Sequence, residues 1–212
     1  MKRQAIGDTH GRHGWRKFLD GDFDEFYFVG DYFDNYQETP AQVQIINFFA
    51  IVSAARKDPR IKLCLGNHDF HYLRGLPYHE RYSGYQRGPH WDITIAIESA
   101  MDVIKPVYVT DDKYIISHAG VTKTFMEKYS LKDPIEINDL FLKDRMSLAW
   151  VGHDPYGNDP ENGPLWVRPE ALLRDKLEGY KQVVGHTKIQ KIFTQEDVTF
   201  IDLDTSNEVF EF

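Results

Sequence analysis

The sequence predicts an α/β fold, and two observations support that prediction. The first third of the chain alternates between runs of strand-forming residues and helical stretches, in the order strand, helix, strand, helix, strand. Such an order implies right-handed crossovers and a mainly parallel sheet. In addition, polar residues of ligand type follow directly after several apolar runs. These positions are the carboxyl ends of strands, where open α/β sheets bind their ligands.

The elements of this first part follow from local patterns. Apolar residues recur at helical spacing after Thr39, the predicted N-cap, with Pro40 at the first helical position, and Asp58-Pro59 ends the helix. Runs rich in apolar and strand-forming residues predict the strands. The predicted strands are 2–6, 25–29 and 61–65, and the predicted helices are 15–19 and 40–57.

The stretch from about 70 to 103 breaks this rhythm and is interpreted as an insertion over the site, or lid. It is rich in tyrosine, arginine, histidine and glycine, and a helix is predicted from Asp92 to Val103. The Arg and Tyr residues between Tyr72 and Arg87 suit either stacking of a nucleobase or packing of the aromatic faces on the core. Packing on the core is the favoured interpretation.

The second half is predicted to return to strands after a mostly helical stretch over 122–150 and a polar loop over 152–164. A short helix is predicted over 169–177. The last strands are expected to be antiparallel and connected by hairpins. The predicted strands are 107–109, 113–116, 181–184, 191–194, 198–203 and 208–212.

Length and composition limit the class of protein. With 212 residues, 42% hydrophobic and 27% charged, the chain suits one soluble domain, residues 1–212. No stretch approaches the ~18 apolar residues of a membrane span, and the N-terminus enters a strand too soon for a signal peptide. The single cysteine gives no disulfide framework, so the cytoplasm is the expected compartment. A net charge of −8 argues against broad nonspecific binding of nucleic acid.

Five predicted strand ends carry residues that bind metal ions. Each motif alone is weak, because a Gly-Asp pair is usually a turn and a lone histidine is usually a surface residue. Their conjunction is the strong signal. The motifs are Gly7-Asp8-Thr9-His10-Gly11, Gly30-Asp31-Tyr32-Phe33-Asp34, Gly66-Asn67-His68-Asp69, Ser117-His118-Ala119-Gly120 and Gly185-His186-Thr187.

The donor atoms of these motifs are oxygens and imidazole nitrogens without a thiolate, a set that suits manganese, iron or zinc. A carboxylate such as Asp31 has two oxygens and is able to bridge two ions. Ions held ~3.5–4 Å apart clamp the attacking and leaving oxygens of a displacement at phosphorus and lower the pKa of a shared water. The sequence thus predicts hydrolysis of a phosphate ester by a metal-bridging hydroxide. The candidate metal ligands are Asp8, His10, Asp31, Asn67, His118 and His186.

This series of motifs, spanning Gly7 to Thr187, resembles the calcineurin-like metallophosphoesterase superfamily. It is most similar to the phosphoprotein-phosphatase-like branch, which includes small bacterial and phage serine/threonine phosphatases. The resemblance implies a two-sheet β-sandwich flanked by helices. It implies two divalent ions, for which the donor set favours manganese and leaves iron or zinc as alternatives. Asp8, His10 and Asp31 would bind the first, and Asp31, Asn67, His118 and His186 the second. Many relatives carry a further histidine where this chain has Lys188.

The resemblance also implies a general acid. His68 matches the histidine that protonates the leaving-group oxygen, and Asp34 matches the carboxylate that orients it. An imidazole titrates near neutrality, and a paired carboxylate fixes its tautomer and favours its cation. The alternative is that Asp34 only caps the following turn. Asp69 is expected to hold the turn. The other histidines, expected to be solvated rather than catalytic, are His13, His71, His79, His90 and His153.

The substrate is less well specified, because two arginines usual in that branch are replaced by Asn35 and Leu65. A phosphate monoester dianion needs cationic contacts. Arg168, in a Trp-x-Arg segment similar to that of relatives, is the first candidate, followed by Arg12 and Arg74.

Three functions remain open on the sequence. They are a phosphomonoesterase acting on phosphoserine or phosphothreonine, a hydrolase of nucleotides, dinucleoside polyphosphates or nucleic-acid ends, and a non-catalytic binding scaffold. The phosphomonoesterase is favoured over the second, whose substrates share the same motifs. The retained ligand and acid positions argue against the scaffold.

Overall fold

The structure, a computed structural model, describes residues 1–35, 39–76, 84–150, 154, 156–203, 205 and 207–212. Within these ranges the strands are short and alternate with helices along the chain. They are β1 (Arg3–Ile6), β2 (Glu25–Phe28), β3 (Ile61–Cys64), β4 (Ile104–Lys105), β5 (Val107–Val109), β6 (Tyr114–Ser117), β7 (Lys181–Val184), β8 (Phe193–Gln195), β9 (Val198–Phe200) and β10 (Phe210–Glu211).

The strands form two five-stranded sheets, in the orders β10-β1-β2-β3-β4 and β5-β6-β7-β9-β8. In the first sheet β1, β2, β3 and β4 are parallel neighbours, and β10 is antiparallel to β1. In the second sheet β6, β7 and β9 are parallel neighbours, with antiparallel strands at both edges. The predicted parallel core is therefore confirmed, and each sheet gathers the carboxyl ends of its parallel strands at one edge.

The helices flank these sheets. The longest connects β2 to β3 and supplies the crossover that a parallel pair requires. The α-helices are α1 (Arg16–Leu19), α2 (Ala41–Lys57), α3 (Asn67–Phe70), α4 (His90–Glu98), α5 (Lys123–Lys128), α6 (Glu136–Lys143), α7 (Gly163–Trp166) and α8 (Pro169–Asp175), and two 3-10 turns span Arg145–Leu148 and Pro160–Asn162.

The core follows the alternation of side chains along each strand. On β2, Phe26 belongs to a cluster on the helical side that includes Phe48 of α2. The next residue, Tyr27, lies in a cluster between the sheets that includes Ile116 of β6. The outer face of the second sheet packs on α8 through a third cluster. The chain is thus the expected two-sheet sandwich flanked by helices.

Three local predictions differ from the structure. The N-cap of α2 is Pro40 rather than Thr39. Helix α4 ends at Glu98 instead of continuing to Val103, because the chain turns there into β4, which pairs with β3. The last strand, β10, does not form a hairpin with its predecessor, whereas β8 and β9 are antiparallel as expected. Strand β10 instead covers the edge of β1, where Gln4 Nε2 donates to Glu211 Oε1 at 2.7 Å.

The remaining points concern domain organisation, membrane-spanning helices and the residues that the structure does not describe. The single-domain organisation, with an insertion over about 70–103, stays a prediction. Within the described part of the chain, no helix combines the length and apolar character needed to cross a membrane. Predictions for residues 77–83 and for His153 lie outside the described residues.

Candidate metal and phosphate site

The five strand ends singled out in the sequence meet at one cleft. A cavity of about 330 Å³ opens there. His118 lies next to the cavity and is fully buried. The residues that line the cavity are Asp8, His10, Asp31, Asn67, His68, Trp166, Arg168, His186, Lys188 and Asp202.

Close packing of two glycines brings the second and third strand ends together. A Cβ atom on Gly30, where φ is +105°, would lie 2.5 Å from the backbone nitrogen of Gly66. A Cβ atom on Gly66 would lie 2.2 Å from Oδ1 of Asp31. No side chain fits at either position, so the two loops touch through their backbones and place Asp31 beside Asn67.

Asp69 holds this contact, as expected of a residue that fixes the turn. Its carboxylate accepts hydrogen bonds from the backbone N–H groups of Asp31, Tyr32 and Gly66, at 2.8, 2.8 and 2.9 Å. The carboxylate is fully buried. These three donors tie the loop after β2 to the loop after β3.

Four of the predicted site residues have a left-handed backbone. The φ angles of His10, Asp31, Asp34 and His186 lie between +44° and +64°. For residues with a side chain this conformation costs of order 1–3 kcal/mol and concentrates at functional sites. The strained positions here coincide with the predicted ligands and with the predicted partner of the acid.

Asp8, His10 and Asp31 form one cluster of metal-binding type, with donor atoms within 4.8 Å of one another. Nε2 of His10 is 3.7 Å from Oδ2 of Asp31 and 4.0 Å from Oδ2 of Asp8. Burial lowers the pKa of His10 to about 4, so its imidazole is neutral. Burial and the charges of Asp202 and Asp31 raise the pKa of Asp8 well above its ordinary value. A cation would offset this concentration of negative charge.

A second group of donor atoms faces Asn67. Its Oδ1 is 2.6 Å from Nε2 of His118 and 2.9 Å from Nδ1 of His186. The two ring nitrogens are 3.2 Å apart, and Nε2 of His118 is 3.4 Å from Oδ2 of Asp31. Asp31 therefore faces both groups, as a bridging carboxylate must.

The other nitrogen of each ring settles the tautomers. Nδ1–H of His10 donates to the Phe33 carbonyl at 2.6 Å, Nδ1–H of His118 donates to the Val29 carbonyl at 3.0 Å, and Nε2–H of His186 donates to the Trp166 carbonyl at 3.2 Å. A carbonyl only accepts, so each ring places its proton on that side. Each neutral ring then turns a lone pair toward the cleft.

Lone pairs that face one another at hydrogen-bond distance, with no proton between them, repel unless a cation lies among them. The amide oxygen of Asn67 and the nitrogens of His118 and His186 are in this arrangement. Burial lowers the pKa of both histidines well below the ordinary value, so protonation does not supply the charge. The donor set therefore fits divalent metal ions, and backbone carbonyls orient its imidazoles, as is usual around metal sites.

The predicted acid lies beside these groups. Nδ1 of His68 is 2.9 Å from Oδ2 of Asp34, and the backbone N–H of His68 donates to Oδ1 of Asp31 at 2.9 Å. Burial lowers the pKa of His68, but the carboxylates of Asp31 and Asp34 outweigh it and raise that pKa to about 8. Burial raises the pKa of Asp34, but hydrogen bonds from His68 and His71 hold it below its ordinary value. The pair thus favours a protonated imidazole and an ionised carboxylate.

The expectation that His71 is solvated was wrong. His71 is fully buried, and its Nε2 lies 2.6 Å from Oδ2 of Asp34. Helix α3 explains this position, because a spacing of three residues puts His68 and His71 on the same side of a helical turn. That spacing is visible in the sequence and could have indicated that His71 lies near His68.

The predicted phosphate-binding arginines occupy three different places. Nη1 of Arg168 donates to the carbonyl of His186 at 3.2 Å and to Oγ1 of Thr187 at 3.1 Å, on the wall of the cavity. Nη2 of Arg12 donates to the carbonyl of Asp8 at 2.9 Å. Arg74 lies in a separate cleft with Trp91, so the structure does not bring it to the cavity.

Sequence reasoning assigned no role to two further charged residues of the cavity, Lys188 and Asp202. Asp202 is buried, and its charge acts on both Asp8 and Asp31. It follows the apolar run of β9, in the same manner as the other strand-end residues. The predicted strand over 198–203 included Asp202, so the strand-end rule missed it, because the strand ends earlier, at Phe200.

Comparison with known families agrees with this site. The chain matches the model of the calcineurin-like phosphoesterase family over residues 1–190 and therefore belongs to that family. It is a metal-dependent phosphoester hydrolase, of a family that uses dinuclear divalent metal centres. No curated protein matches the chain significantly.

One of the solved structures that resemble this chain agrees with it in fold. A protein serine/threonine phosphatase from Saccharomyces cerevisiae with similarity to human phosphatase PP5 superposes with a TM-score of 0.51 at 12% identity, covering 100% of this chain and 72% of its own. A predicted phosphoesterase from Streptococcus pneumoniae gives 0.33 at 12% identity, covering 95% and 70%. A phosphopantetheinyl hydrolase from Mycobacterium tuberculosis gives 0.39 at 14% identity, covering 95% and 88%.

Proposed function

We propose that this enzyme is a dinuclear phosphomonoesterase that acts on phosphoserine or phosphothreonine side chains. The observation that carries the proposal is the set of imidazole and amide lone pairs that face one another around Asn67, beside the carboxylate of Asp31. That arrangement needs cations.

The residues divide into two ligand sets that share one carboxylate. Asp8, His10 and Asp31 would hold one ion, and Asp31 with Asn67, His118 and His186 would hold the other. Carboxylate, amide and imidazole donors suit manganese, with iron or zinc as alternatives. When bound, such a pair polarises the phosphoryl oxygens and activates a water molecule as the nucleophile.

The other side chains of the cleft bind the substrate and move a proton. Arg168 offers a guanidinium held in place by the chain segment of His186 and Thr187, which suits a phosphoryl oxygen. His68 donates its Nε2 proton to the leaving-group oxygen, while Nδ1 stays bonded to Asp34. The leaving alcohol oxygen thus receives a proton from His68 while negative charge develops on it.

The lining of the cavity favours a small phosphate ester over a nucleotide. Among the described residues that line it, Trp166 is the aromatic side chain other than histidine, and it is 9% exposed. Tyr72, which the sequence offered as a stacking surface, is fully buried, and its hydroxyl donates to Asp34. It is therefore not available to a nucleobase.

A substrate panel tests the proposal. The purified protein, loaded with manganese, is assayed on phosphoserine and phosphothreonine peptides, a dinucleoside polyphosphate, a cyclic nucleotide and 4-nitrophenyl phosphate. We expect kcat/KM to be highest on the phosphopeptides and to be lost with a chelator. A higher kcat/KM on the dinucleoside polyphosphate would move the assignment to the nucleotide class, and no turnover with any metal would favour the scaffold.

A further inference from the structure

The insertion supplies most of the contacts of the carboxylate behind the acid. Asp34 receives His68 from the motif after β3, but three other groups come from residues 70–103. Nε2 of His71 lies 2.6 Å from Oδ2. The hydroxyl of Tyr72 donates to Oδ1 at 2.6 Å, and Nε2 of Gln86 donates to the same oxygen at 2.9 Å. Both oxygens of Asp34 are thus engaged by the insertion.

These groups are themselves fixed. The hydroxyl of Tyr72 accepts the backbone N–H of Gln86 at 2.8 Å, so its own proton is directed to Asp34. The ring of Tyr72 stacks on Tyr85, with centroids 5.4 Å apart, and its carbonyl accepts Oγ1–H of Thr94 at 2.8 Å. Tyr72 and Gln86 therefore present donors whose positions are already fixed.

Gln86 also links Asp34 to helix α2. Nε2 of Gln86 also donates to Oε1 of Gln44 at 3.2 Å, and Nε2 of Gln44 donates to the carbonyl of Thr39 at 2.7 Å. Gln44 is 1% exposed. Asp34 is thus held between the insertion and the start of α2, with φ at +64°.

The carboxylate of Asp34 turns about the bond that joins it to the rest of the side chain. Its orientation is fixed only when both of its oxygens are bonded. If the donors on Oδ1 were removed, the carboxylate would be able to rotate, and Oδ2 would leave Nδ1 of His68. The imidazole of His68 is then no longer held in one position. This matters for proton transfer, since misplacement by ~1 Å costs up to ~10²-fold in rate.

We propose that His71, Tyr72 and Gln86 are positioning residues that fix Asp34 and, through it, the imidazole of His68. We call these three residues the brace. The inference rests on the proposed acid role of His68 and adds a function for the insertion, which orients the acid rather than only covering the substrate.

The same geometry speaks against a third metal ion. Asp34, His68 and His71 are close enough to hold one. However, His68 and His71 both approach the same carboxylate oxygen, Oδ2, at 2.9 and 2.6 Å. The contact of the His68 imidazole with this oxygen is a hydrogen bond. The proposal therefore assigns protons, and not a metal ion, to this cluster, so the protein should bind no more ions than the two ligand sets hold.

The test uses leaving groups that need the acid to different degrees. Tyr72→Phe removes one hydroxyl and keeps the ring packing. On phenyl phosphate, a poor leaving group, we expect kcat to fall about tenfold, since a hydrogen bond to a charged group is lost. On 4-nitrophenyl phosphate, which needs little protonation, we expect a change below about twofold, with KM unchanged on both.

Two further variants serve as a control and as an independent test. Tyr129→Phe is the matched control, because its hydroxyl donates to the Ser147 carbonyl at 3.0 Å, outside the cavity lining, and it should leave both rates unchanged. Gln86→Ala changes a half-buried residue, and it should repeat the effect of Tyr72→Phe. Equal metal content and urea midpoints establish that each variant is folded.

A double-mutant cycle decides whether the brace acts through the acid. On a His68→Asn background, Tyr72→Phe should have no further effect on phenyl phosphate. Additive losses would overturn the proposal, as would a third ion per chain that His71→Gln removes. If His68→Asn slows both esters equally, the acid role and the brace fail together. A leaving-group effect in His68→Asn but not in Tyr72→Phe or Gln86→Ala would refute the brace alone.

Discussion

Gly66→Ala probes how the metal site is placed, because it adds one methyl group where two strand ends meet. The new Cβ atom would lie 2.2 Å from both the backbone nitrogen and Oδ1 of Asp31, and 2.9 Å from its Cα. Two of these atoms belong to the backbone, and the third, Oδ1, is held by the backbone N–H of His68 at 2.9 Å. The loops must therefore separate.

The size of the effect follows from these distances. Carbon atoms in contact prefer a separation of ~3.5–4 Å, so the loops have to move apart by more than ~1 Å. Overpacking of this kind costs ~1–3 kcal/mol of unfolding free energy. A displacement of ~1 Å at a catalytic group costs ~10²-fold in rate. We expect losses of this order in stability and in kcat/KM, together with a lower metal content.

The assay compares Gly66→Ala with Gly88→Ala, where a new Cβ atom meets nothing within 4 Å. Urea unfolding, bound metal by mass spectrometry and turnover of 4-nitrophenyl phosphate are measured for both variants. If Gly66→Ala keeps its metal and its rate within threefold of Gly88→Ala, the close approach of the two loops does not position Asp31, and the reasoning is refuted.

Two other predictions concern charged groups. Arg168→Ala should raise KM for 4-nitrophenyl phosphate about tenfold or more, through loss of a charged hydrogen bond, whereas Arg174→Ala on α8 should not; a similar KM for both variants would remove Arg168 from phosphate binding. Burial raises the pKa of Glu98, but hydrogen bonds from Arg145 and the backbone of Arg74 outweigh it and hold that pKa below its ordinary value. Its stabilisation is therefore present above the unfolded-state pKa of ~4.3 and is lost as pH falls through the folded-state pKa. Glu98→Gln should lower the unfolding free energy by ~1 kcal/mol at pH 7 and by less at pH 3, and a difference that grows toward pH 3 would contradict the assignment.

The fold and the residues of the cleft were predictable from the sequence because they follow from local patterns along the chain. Each motif follows a short apolar strand, and parallel strands bring their carboxyl ends to one edge, so Asp8, Asp31 and Asn67 meet without any knowledge of the side-chain contacts. Asp69 was expected to hold a turn for the same reason, and it does.

Features set by contacts between distant segments were not predictable. The buried position of His71 depends on Asp34, 37 positions away, and on Tyr72 and Gln86, which close around the same carboxylate. Strand β10 pairs with β1 across the whole chain, and no local pattern distinguishes that pairing from a hairpin. The places of the three candidate arginines were not predictable for the same reason, because the direction of a long side chain depends on its tertiary surroundings.

The number of metal ions bound to the wild type and to Asp31→Asn tests the central claim, that one shared carboxylate organises two ions for phosphate ester hydrolysis. Oδ1 of Asp31 accepts the N–H of His68, and Oδ2 faces His10 and His118. After dialysis against manganese, we predict two ions per chain in the wild type. The variant should bind at most one and hydrolyse no phosphate ester. An Asp31→Asn protein that carries two ions and remains active would contradict the claim.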